Sequence, residues 1–227
     1  MRSLMRAGRI RGSICLTAGF LLAAMTGCAD EPEAVPSGEL FEAAAAGDVT
    51  GVRSLLDRGA SPDERDGSGR TAVTAAVYAG SAETVRLLVA AGADVDAQDD
   101  MRSNAFLALG ETGDVAVLDE VLRGNPDVGL TNRFGGTALI PAADRGHVEM
   151  VRALLDRTTI DIDHVNNLGW TALLEAVILG DGGPAHQQIV RLLVAAGADR
   201  SIGDNAGMTP LQHAQAMGFT EIVSILD

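Results

Sequence analysis

The 227-residue sequence contains no lysine, only two cysteines and few aromatic residues, and these scarcities limit what the protein can do. Its 17 basic residues are all arginines and face 31 acidic residues, so the net charge is −14. A chain this acidic repels nucleic-acid phosphates and anionic lipid headgroups, and no nucleic-acid partner is expected. The cysteines are Cys15 and Cys28, and Cys15 falls within a segment that is predicted below to be removed. The mature chain would then form no internal disulfide.

Motifs that carry catalysis are also missing. There is no Gly-x-Ser-x-Gly, no Gly-x4-Gly-Lys and no His-Glu-x2-His sequence. The four histidines are scattered, with His164 expected in a hairpin, His186 in a loop, and His147 after a repeated glycine, where packing and hydrogen bonding are expected. His213 lies one place later than the histidine expected in its unit, so no structural role is predicted for it, and it is not expected to be a ligand. We therefore predict no enzyme activity, no metal site and no cofactor.

The sequence does contain a glycine that recurs at a nearly fixed interval. Successive copies are separated by 33, 33, 33, 34 and 38 residues, and they are Gly47, Gly80, Gly113, Gly146, Gly180 and Gly218. A period of this length predicts a stack of small units rather than one globular core.

Each unit has the pattern of two short helices. In the second unit Thr71 is suited to cap a helix over residues 72–79, since its hydroxyl can accept from a backbone N–H of the first turn. Gly80 and Gly92 are placed to end the first and second helices in the left-handed conformation. The second helix has aliphatic residues at i, i+3 and i+4, which gives it one apolar face. A single unit buries too little to offset its conformational entropy, so stability must come from stacking.

These features resemble the ankyrin repeat. The sequence Gly-x-Thr-Ala/Pro-Val/Leu occurs at residues 69–73, 135–139, 169–173 and 207–211, and Gly-Ala-Asp or a close variant follows the second helix. The resemblance implies an all-α solenoid of about six stacked helix–turn–helix units with short β-hairpin connections. The units are placed at residues 39–65, 66–98, 99–131, 132–165, 166–203 and 204–227, with the first and last as capping repeats.

Two of the units depart from the repeat pattern. The third unit has Arg102 and Asn104 where glycine and threonine are usual, Gly110 where alanine is usual, and Asn125 in place of the glycine that ends the second helix. Asparagine tolerates the left-handed region, so the fold should survive there. The fifth unit has five extra residues after Gly180, which are expected to lengthen the loop between its helices.

The N-terminal segment is typical of a leader. Residues 1–13 carry four arginines and no acid, and residues 14–25 form an apolar run too short to span a bilayer comfortably. The run ends in Met25-Thr26-Gly27-Cys28, which resembles a bacterial lipobox and implies lipidation at Cys28. We predict a signal peptide at residues 1–27 and an acidic tether at residues 28–38; ordinary secretion with cleavage nearby is the alternative. Ala29 after the cysteine favours the periplasmic face of the outer membrane in a diderm cell. In a monoderm cell the protein would lie on the outer face of the plasma membrane.

Charge bears on the choice of partner. Removal of the leader with its four arginines would change the net charge from −14 to −18. Such a surface would attract a protein with a basic patch. The alternative is that acidity only keeps an alanine-rich solenoid soluble.

The positions that vary between units are the candidate binding surface, because ankyrin proteins are expected to bind through hairpin tips and first helices. Aromatic and arginine residues are frequent at binding hot spots. The candidate partner-binding residues are Tyr78, Met101, Glu111, Phe134, Asp144, Arg145, Leu168 and Trp170. The alternative is that these side chains pack against neighbouring hairpins.

The expected function is that of a monomeric, membrane-tethered scaffold, adaptor or inhibitor that binds an unidentified protein outside the cytoplasm. A different class is a binder of a small ligand or an envelope polymer in the groove around Tyr78, Ile178 and Trp170.

Overall fold

The computed structural model describes residues 37–227, and this part of the chain forms twelve helices in six antiparallel pairs. The predicted signal peptide, Cys28 and nearly all of the predicted tether lie outside the described residues. The first helices of the pairs are α1 (Glu39–Ala45), α3 (Ala72–Tyr78), α5 (Ala105–Thr112), α7 (Leu139–Asp144), α9 (Ala172–Ile178) and α11 (Pro210–Met217). The second helices are α2 (Val49–Asp57), α4 (Ala82–Ala90), α6 (Val115–Leu122), α8 (Val148–Arg157), α10 (Pro184–Ala195) and α12 (Thr220–Leu226).

The helices form two layers. Each first helix contacts the first helices of the neighbouring pairs, and each second helix contacts the second helices, while the two members of a pair also pack together. The first helices of the four internal repeats are largely buried: in α3 every residue from Ala72 to Val77 is inaccessible to solvent or nearly so. Small side chains allow these helices to approach closely, and one apolar core runs through the stack.

Three of the six first helices begin at the predicted threonine. The Thr71 hydroxyl accepts a hydrogen bond from the Thr74 N–H, and Thr171 does the same for Leu174. Thr209 and Gln212 form a reciprocal capping box at the start of α11. In the third unit the Asn104 side chain takes the place of threonine and accepts from Leu107.

The fourth unit departs from this arrangement. Helix α7 begins two residues after Thr137, and the buried Thr137 hydroxyl has no hydrogen-bond partner within the described part of the chain. Pro141 has no N–H and cannot donate to the Thr137 carbonyl, so the Ile140 N–H donates to that carbonyl instead. The first turn of α7 is therefore tighter than that of the other first helices.

The predicted left-handed positions are confirmed. Gly80 and Gly92 have φ of 67° and 92°, and Asn125 has a φ of 53° in place of glycine. Arg102 also occupies this region, with a φ of 55°, although a long side chain is strained there.

The connections between repeats are tight turns. In each, an Asp or Asn side chain accepts hydrogen bonds from the backbone N–H groups two and four residues later; these residues are Asp66, Asp99, Asn132, Asn166 and Asp204. Across residues 37–227 the only β-bridge joins Arg65 to Thr71. The predicted β-hairpins are thus short turns rather than paired strands. Each turn is closed by the Asp or Asn side chain and by a backbone hydrogen bond from the N–H of that residue to the carbonyl four residues later.

The fifth unit corrects two expectations. The extra residues do not all enter a loop, because α10 is lengthened to twelve residues and includes His186, which we had expected in a loop. Gly180 does not adopt a positive φ, and Gly182 provides the left-handed residue with a φ of 68°. Among the described helices, none has the length and apolarity that a bilayer crossing requires.

Candidate partner-binding groove

The turns of the third, fourth and fifth repeats present one apolar side chain each. Met101, Phe134 and Leu168 occupy equivalent tip positions and are 43%, 53% and 51% exposed. About half of each side chain is therefore available at the surface. The Met101 sulfur also accepts a hydrogen bond from Arg133 of the next turn, so the alternative of packing against neighbouring turns stays open.

Hydrogen bonds between adjacent tips fix the spacing of these side chains. The Arg133 N–H donates to the Met101 carbonyl at 3.1 Å, and the Asn167 N–H donates to the Phe134 carbonyl at 2.9 Å. The tips therefore form a connected edge, and the first helices form the floor beside it. We call the depression between this edge and α3, α5, α7 and α9 the groove.

The first of two cavities in the groove has a volume of about 290 Å³ and is rich in arginine. Its lining includes Arg70, Arg133 and Arg145. The Arg70 guanidinium lies 5.0 Å from the centre of the Tyr78 ring, and the Arg133 guanidinium lies 4.5 Å from the Phe134 ring.

Tyr78 and Glu111 join two repeats at the floor of this cavity. The Tyr78 hydroxyl donates a hydrogen bond to Glu111 Oε2 at 3.0 Å. Burial raises the pKa of the Tyr78 hydroxyl, and the nearby Glu111 carboxylate acts in the same direction. The Tyr78 ring is thus held in place, with its face against Arg70.

The second cavity adjoins the first and has a volume of about 280 Å³. Phe134, Glu111, Asn132 and Arg145 line both cavities. The second cavity is more apolar, and its apolar lining residues are Phe134, Ile140, Pro141, Leu168 and Leu179. Its charged lining residues are Glu111, Asp144, Arg145 and Glu175.

Glu175 is a buried acid on the wall of the second cavity. It is only 6% exposed, and its Oε1 accepts a hydrogen bond from Asn166 Nδ2 at 2.7 Å. Burial, followed by the negative charge of Asp144, raises the pKa of the Glu175 carboxyl to about 7, while the bond from Asn166 opposes the rise.

Comparison with known proteins agrees with this architecture. A family model described as ankyrin repeats (3 copies) matches residues 105–204, and one described as ankyrin repeats (many copies) matches residues 40–89. The ankyrin repeat protein YahD of Escherichia coli (strain K12) is 40% identical over 184 residues, which is 81% of this chain and 92% of that protein. The chain belongs to the ankyrin-repeat family.

Solved structures extend the comparison to the fold. An ankyrin repeat domain from Acinetobacter baumannii AYE has 46% identity and a TM-score of 0.79, over 83% of this chain and 96% of that chain. The ankyrin repeat protein EF0377 has 40% identity and a TM-score of 0.81, over 85% of this chain and 98% of that chain. The predicted fold class, an all-α ankyrin solenoid, is confirmed.

Most of the predicted partner-binding residues of this ankyrin domain meet in the groove. Seven of the eight line a cavity: Tyr78 and Met101 the first, Asp144 and Leu168 the second, and Glu111, Phe134 and Arg145 both. Trp170 is half-buried and lines neither cavity. Its backbone N–H donates to Asn166 Oδ1, so its position is set by the turn.

The four histidines of this domain form structural hydrogen bonds within or between repeats. His147 Nε2 lies 3.1 Å from the Glu111 carbonyl oxygen of the preceding repeat, and His164 Nε2 lies 2.6 Å from the Gly135 carbonyl oxygen. His186 bridges Asp181 Oδ1 and the Asp144 carbonyl, while His213 pairs with Asp204 Oδ2. Within residues 37–227 no group of three His, Cys, Asp or Glu side chains is placed to hold a metal ion.

Sequence reasoning missed Glu175. It occupies the variable place in the motif that begins at Thr171, which is Ala75 in the second repeat, Ala108 in the third and Pro141 in the fourth. A carboxylate in an otherwise apolar and buried first helix was the signal that marked it.

Proposed function

We propose that this ankyrin domain binds an extended segment of a partner protein along the groove. The observation that carries the proposal is the row of half-exposed apolar side chains, Met101, Phe134 and Leu168, beside cavities that contain arginine and carboxylate groups. Phenylalanine, methionine and arginine are enriched at the cores of protein interfaces, and arginine is frequent among the residues that carry most of the binding energy. Ankyrin repeats are in general protein-interaction modules, which supports the same conclusion.

The proposal includes a membrane anchor and a location outside the cytoplasm. Its support is the arginine-containing leader, the short apolar run and the sequence Met25-Thr26-Gly27-Cys28. Acyl chains on Cys28 would hold the protein at a membrane, since each buried CH₂ contributes about 0.8 kcal/mol. In this arrangement the domain acts as a scaffold, adaptor or inhibitor that recruits or covers a protein at the cell envelope.

A partner with a basic surface fits the charge of the chain. The net charge of −14 would become −18 without residues 1–27, and attraction of this kind weakens as salt is added. The alternative of a small-ligand or polymer site depends on Tyr78, Ile178 and Trp170 sharing one groove. Of these three residues, only Tyr78 lines either cavity.

The groove is tested by cross-linked capture from the envelope of the source cell. The full chain is compared with Phe134→Ala/Leu168→Ala, which removes two exposed side chains from the groove. Val165→Ala/Met217→Ala is the matched control, because both residues are exposed and neither lines a cavity. A species that the parent and the control capture and the groove variant loses supports the proposal, whereas capture by all three places the interface elsewhere.

The anchor is tested separately by metabolic labelling with a fatty acid. The parent should incorporate the label and sediment with membranes, and Cys28→Ser should do neither. A labelled Cys28→Ser protein, or an unlabelled parent, would contradict the lipid anchor without bearing on the groove.

A further inference from the structure

The second cavity combines an apolar wall with carboxylates that lack a cationic partner. Asp144 and Glu175 form no ion pair within 4.0 Å, and Asp144 accepts no hydrogen bond on its side chain from any described residue. Arg145 is the one cation in the lining, and its Nη1 donates to the Glu111 main-chain carbonyl at 3.3 Å. The domain thus leaves negative charge in this cavity that it does not neutralise itself.

The free oxygen of Glu175 is the central feature. Only 6% of the Glu175 surface is exposed to solvent. Its Oε1 accepts the hydrogen bond from Asn166, and its Oε2 has no hydrogen-bond partner among residues 37–227. Oε2 is not among the buried side-chain atoms that lack a partner, so it faces the open space of the cavity, and a donor supplied by a ligand can bind it there. The carboxylate is on the wall of an open cavity, where such a donor can reach it.

We propose that the second cavity is a subsite for one lysine side chain of the partner, with its aliphatic stem against Ile140, Leu168 and Leu179 and its ammonium at Glu175 and Asp144. This inference rests on the proposed function and names the chemistry that the groove recognises. The stem matches the apolar wall, and the ammonium supplies the missing positive charge. A volume of about 280 Å³ is below that of most pockets for drug-sized ligands, which suits a single side chain.

Lysine fits this site better than arginine. Arginine gains most from a carboxylate that offers both oxygens to its planar fork. Glu175 has one oxygen already bonded to Asn166, so a compact ammonium that donates one hydrogen bond each to Glu175 and Asp144 is the better match. The first cavity already has three arginines in its lining, so it would disfavour binding of a further basic side chain from the partner.

The test uses small probes that isolate the side chain. The full chain, with isotope-labelled isoleucine and leucine methyl groups, is titrated with Nα-acetyl-lysine N-methylamide at pH 8, where Glu175 is largely ionised. The uncharged control probe is Nα-acetyl-norleucine N-methylamide. A third probe, Nα-acetyl-arginine N-methylamide, tests the preference for lysine over arginine. The lysine probe should shift the methyl resonances of Ile140, Leu168 and Leu179 and bind at least about five-fold more tightly than norleucine.

Variants assign the effect to the carboxylates. Asp144→Asn/Glu175→Gln should reduce lysine affinity at least about five-fold and leave norleucine binding unchanged. Asp144→Asn alone, at a half-buried position, should give part of the loss. Glu221→Gln removes an equal charge from an exposed site in α12 and should change nothing.

Three results would overturn the proposal. These are equal binding of norleucine, tighter binding of arginine than of lysine, and unchanged lysine binding by the double variant. If the lysine probe fails to bind, the groove proposal still stands, provided that the parent captures a partner that Phe134→Ala/Leu168→Ala loses. Lysine binding without partner capture would instead support the subsite and contradict the wider function.

Discussion

Gly110 of α5 lies directly against the backbone carbonyl of Ala138, so that a methyl group on Gly110 would overlap the carbonyl oxygen. The carbonyl belongs to the tightened turn that precedes α7, where Pro141 removes an N–H from the usual helical pattern. Two departures from the repeat pattern, a glycine in one helix and a proline in the next, are therefore in contact. Pro141 also lines the second cavity, so this local distortion helps to shape the groove.

Gly110→Ala should destabilise the domain although alanine favours helices. The gain in helix propensity is about 1 kcal/mol, whereas forcing a side chain against fixed backbone costs about 1–3 kcal/mol and should prevail. Urea unfolding should show a lower midpoint for Gly110→Ala. Gly67→Ala is the control, because Gly67 has open space around it. An unchanged or higher midpoint for Gly110→Ala would show that α5 and α7 can separate at little cost.

Arg102→Gly should stabilise the domain. Arg102 has a φ of 55° at a turn position where Gly69, Gly135, Gly169 and Gly207 stand in the other repeats. Relief of the left-handed strain should raise the free energy of unfolding by about 1–2 kcal/mol. The greater conformational freedom of glycine in the unfolded chain should lower it by about 0.4–1 kcal/mol. A rise in unfolding free energy of roughly 0.5–1 kcal/mol is expected from chemical denaturation. Arg102→Ala keeps the strain and should give no such gain; equal gains from both variants would show that the backbone is not the cause.

The repeat period and the capping residues made the fold predictable. A glycine every 33 residues, a threonine before each first helix and one apolar face on each second helix are local signals, and stacking follows because one unit cannot bury its own surface. The same register placed Met101, Phe134 and Leu168 at the tips of the turns, and their role in binding stays a prediction. The turn chemistry was missed, since Asp66 and its equivalents add side-chain hydrogen bonds to the backbone hydrogen bonds that close each turn.

The errors arose where neighbouring units interact. The fate of the extra residues in the fifth repeat depends on how Pro184 starts α10, which a loop-length argument does not determine. Glu175 was overlooked because burial, the bond from Asn166 and the nearness of Asp144 are tertiary properties. Trp170 was selected for its residue type and lines neither cavity, so its role in partner binding stays a prediction.

Glu64→Ala should loosen the first repeat in particular. The Glu64 carboxylate accepts hydrogen bonds from the backbone N–H groups of Gly38, Leu40 and Phe41 at the start of α1, at 2.9 Å for Leu40 and 3.2 Å for Phe41. Helix α1 has no side-chain cap from Gly38, so a residue from the following turn performs this role. Loss of a cap typically costs about 0.5–2 kcal/mol.

Hydrogen exchange measures this local effect. Amide protection at Leu40 and Phe41 should fall in Glu64→Ala and fall less in Glu64→Gln, which keeps one acceptor oxygen. Protection in α9 should not change, because the solenoid couples only neighbouring repeats strongly. A uniform loss of protection across the domain would show that Glu64 supports the whole stack rather than the start of α1.

Glu175 should make stability depend on pH in a direction opposite to that of a salt-bridged acid. Its folded pKa of about 7 lies above the ordinary 4.5, so between these values the folded state binds a proton that the unfolded state releases. Stability from this group is present at low pH and is lost as pH rises from about 4.5 through 7. Asp144, Glu111 and Arg145 are the other charged groups lining the cavity, and they remain unchanged in a Glu175 variant.

The comparison is between the parent and Glu175→Gln, which stays neutral and keeps an acceptor for Asn166. The variant should match the parent near pH 3.5, below the unfolded pKa, and exceed it by about 1–3 kcal/mol near pH 8, measured by chemical unfolding at a series of pH values. Asp144→Asn should shift the transition to lower pH, since the charge of Asp144 is the second cause of the raised pKa. Glu221→Gln should follow the parent. Parallel curves for the parent and Glu175→Gln would mean that solvent or a counterion already compensates the carboxylate, and the subsite would then lack the unpaired charge that makes lysine its ligand.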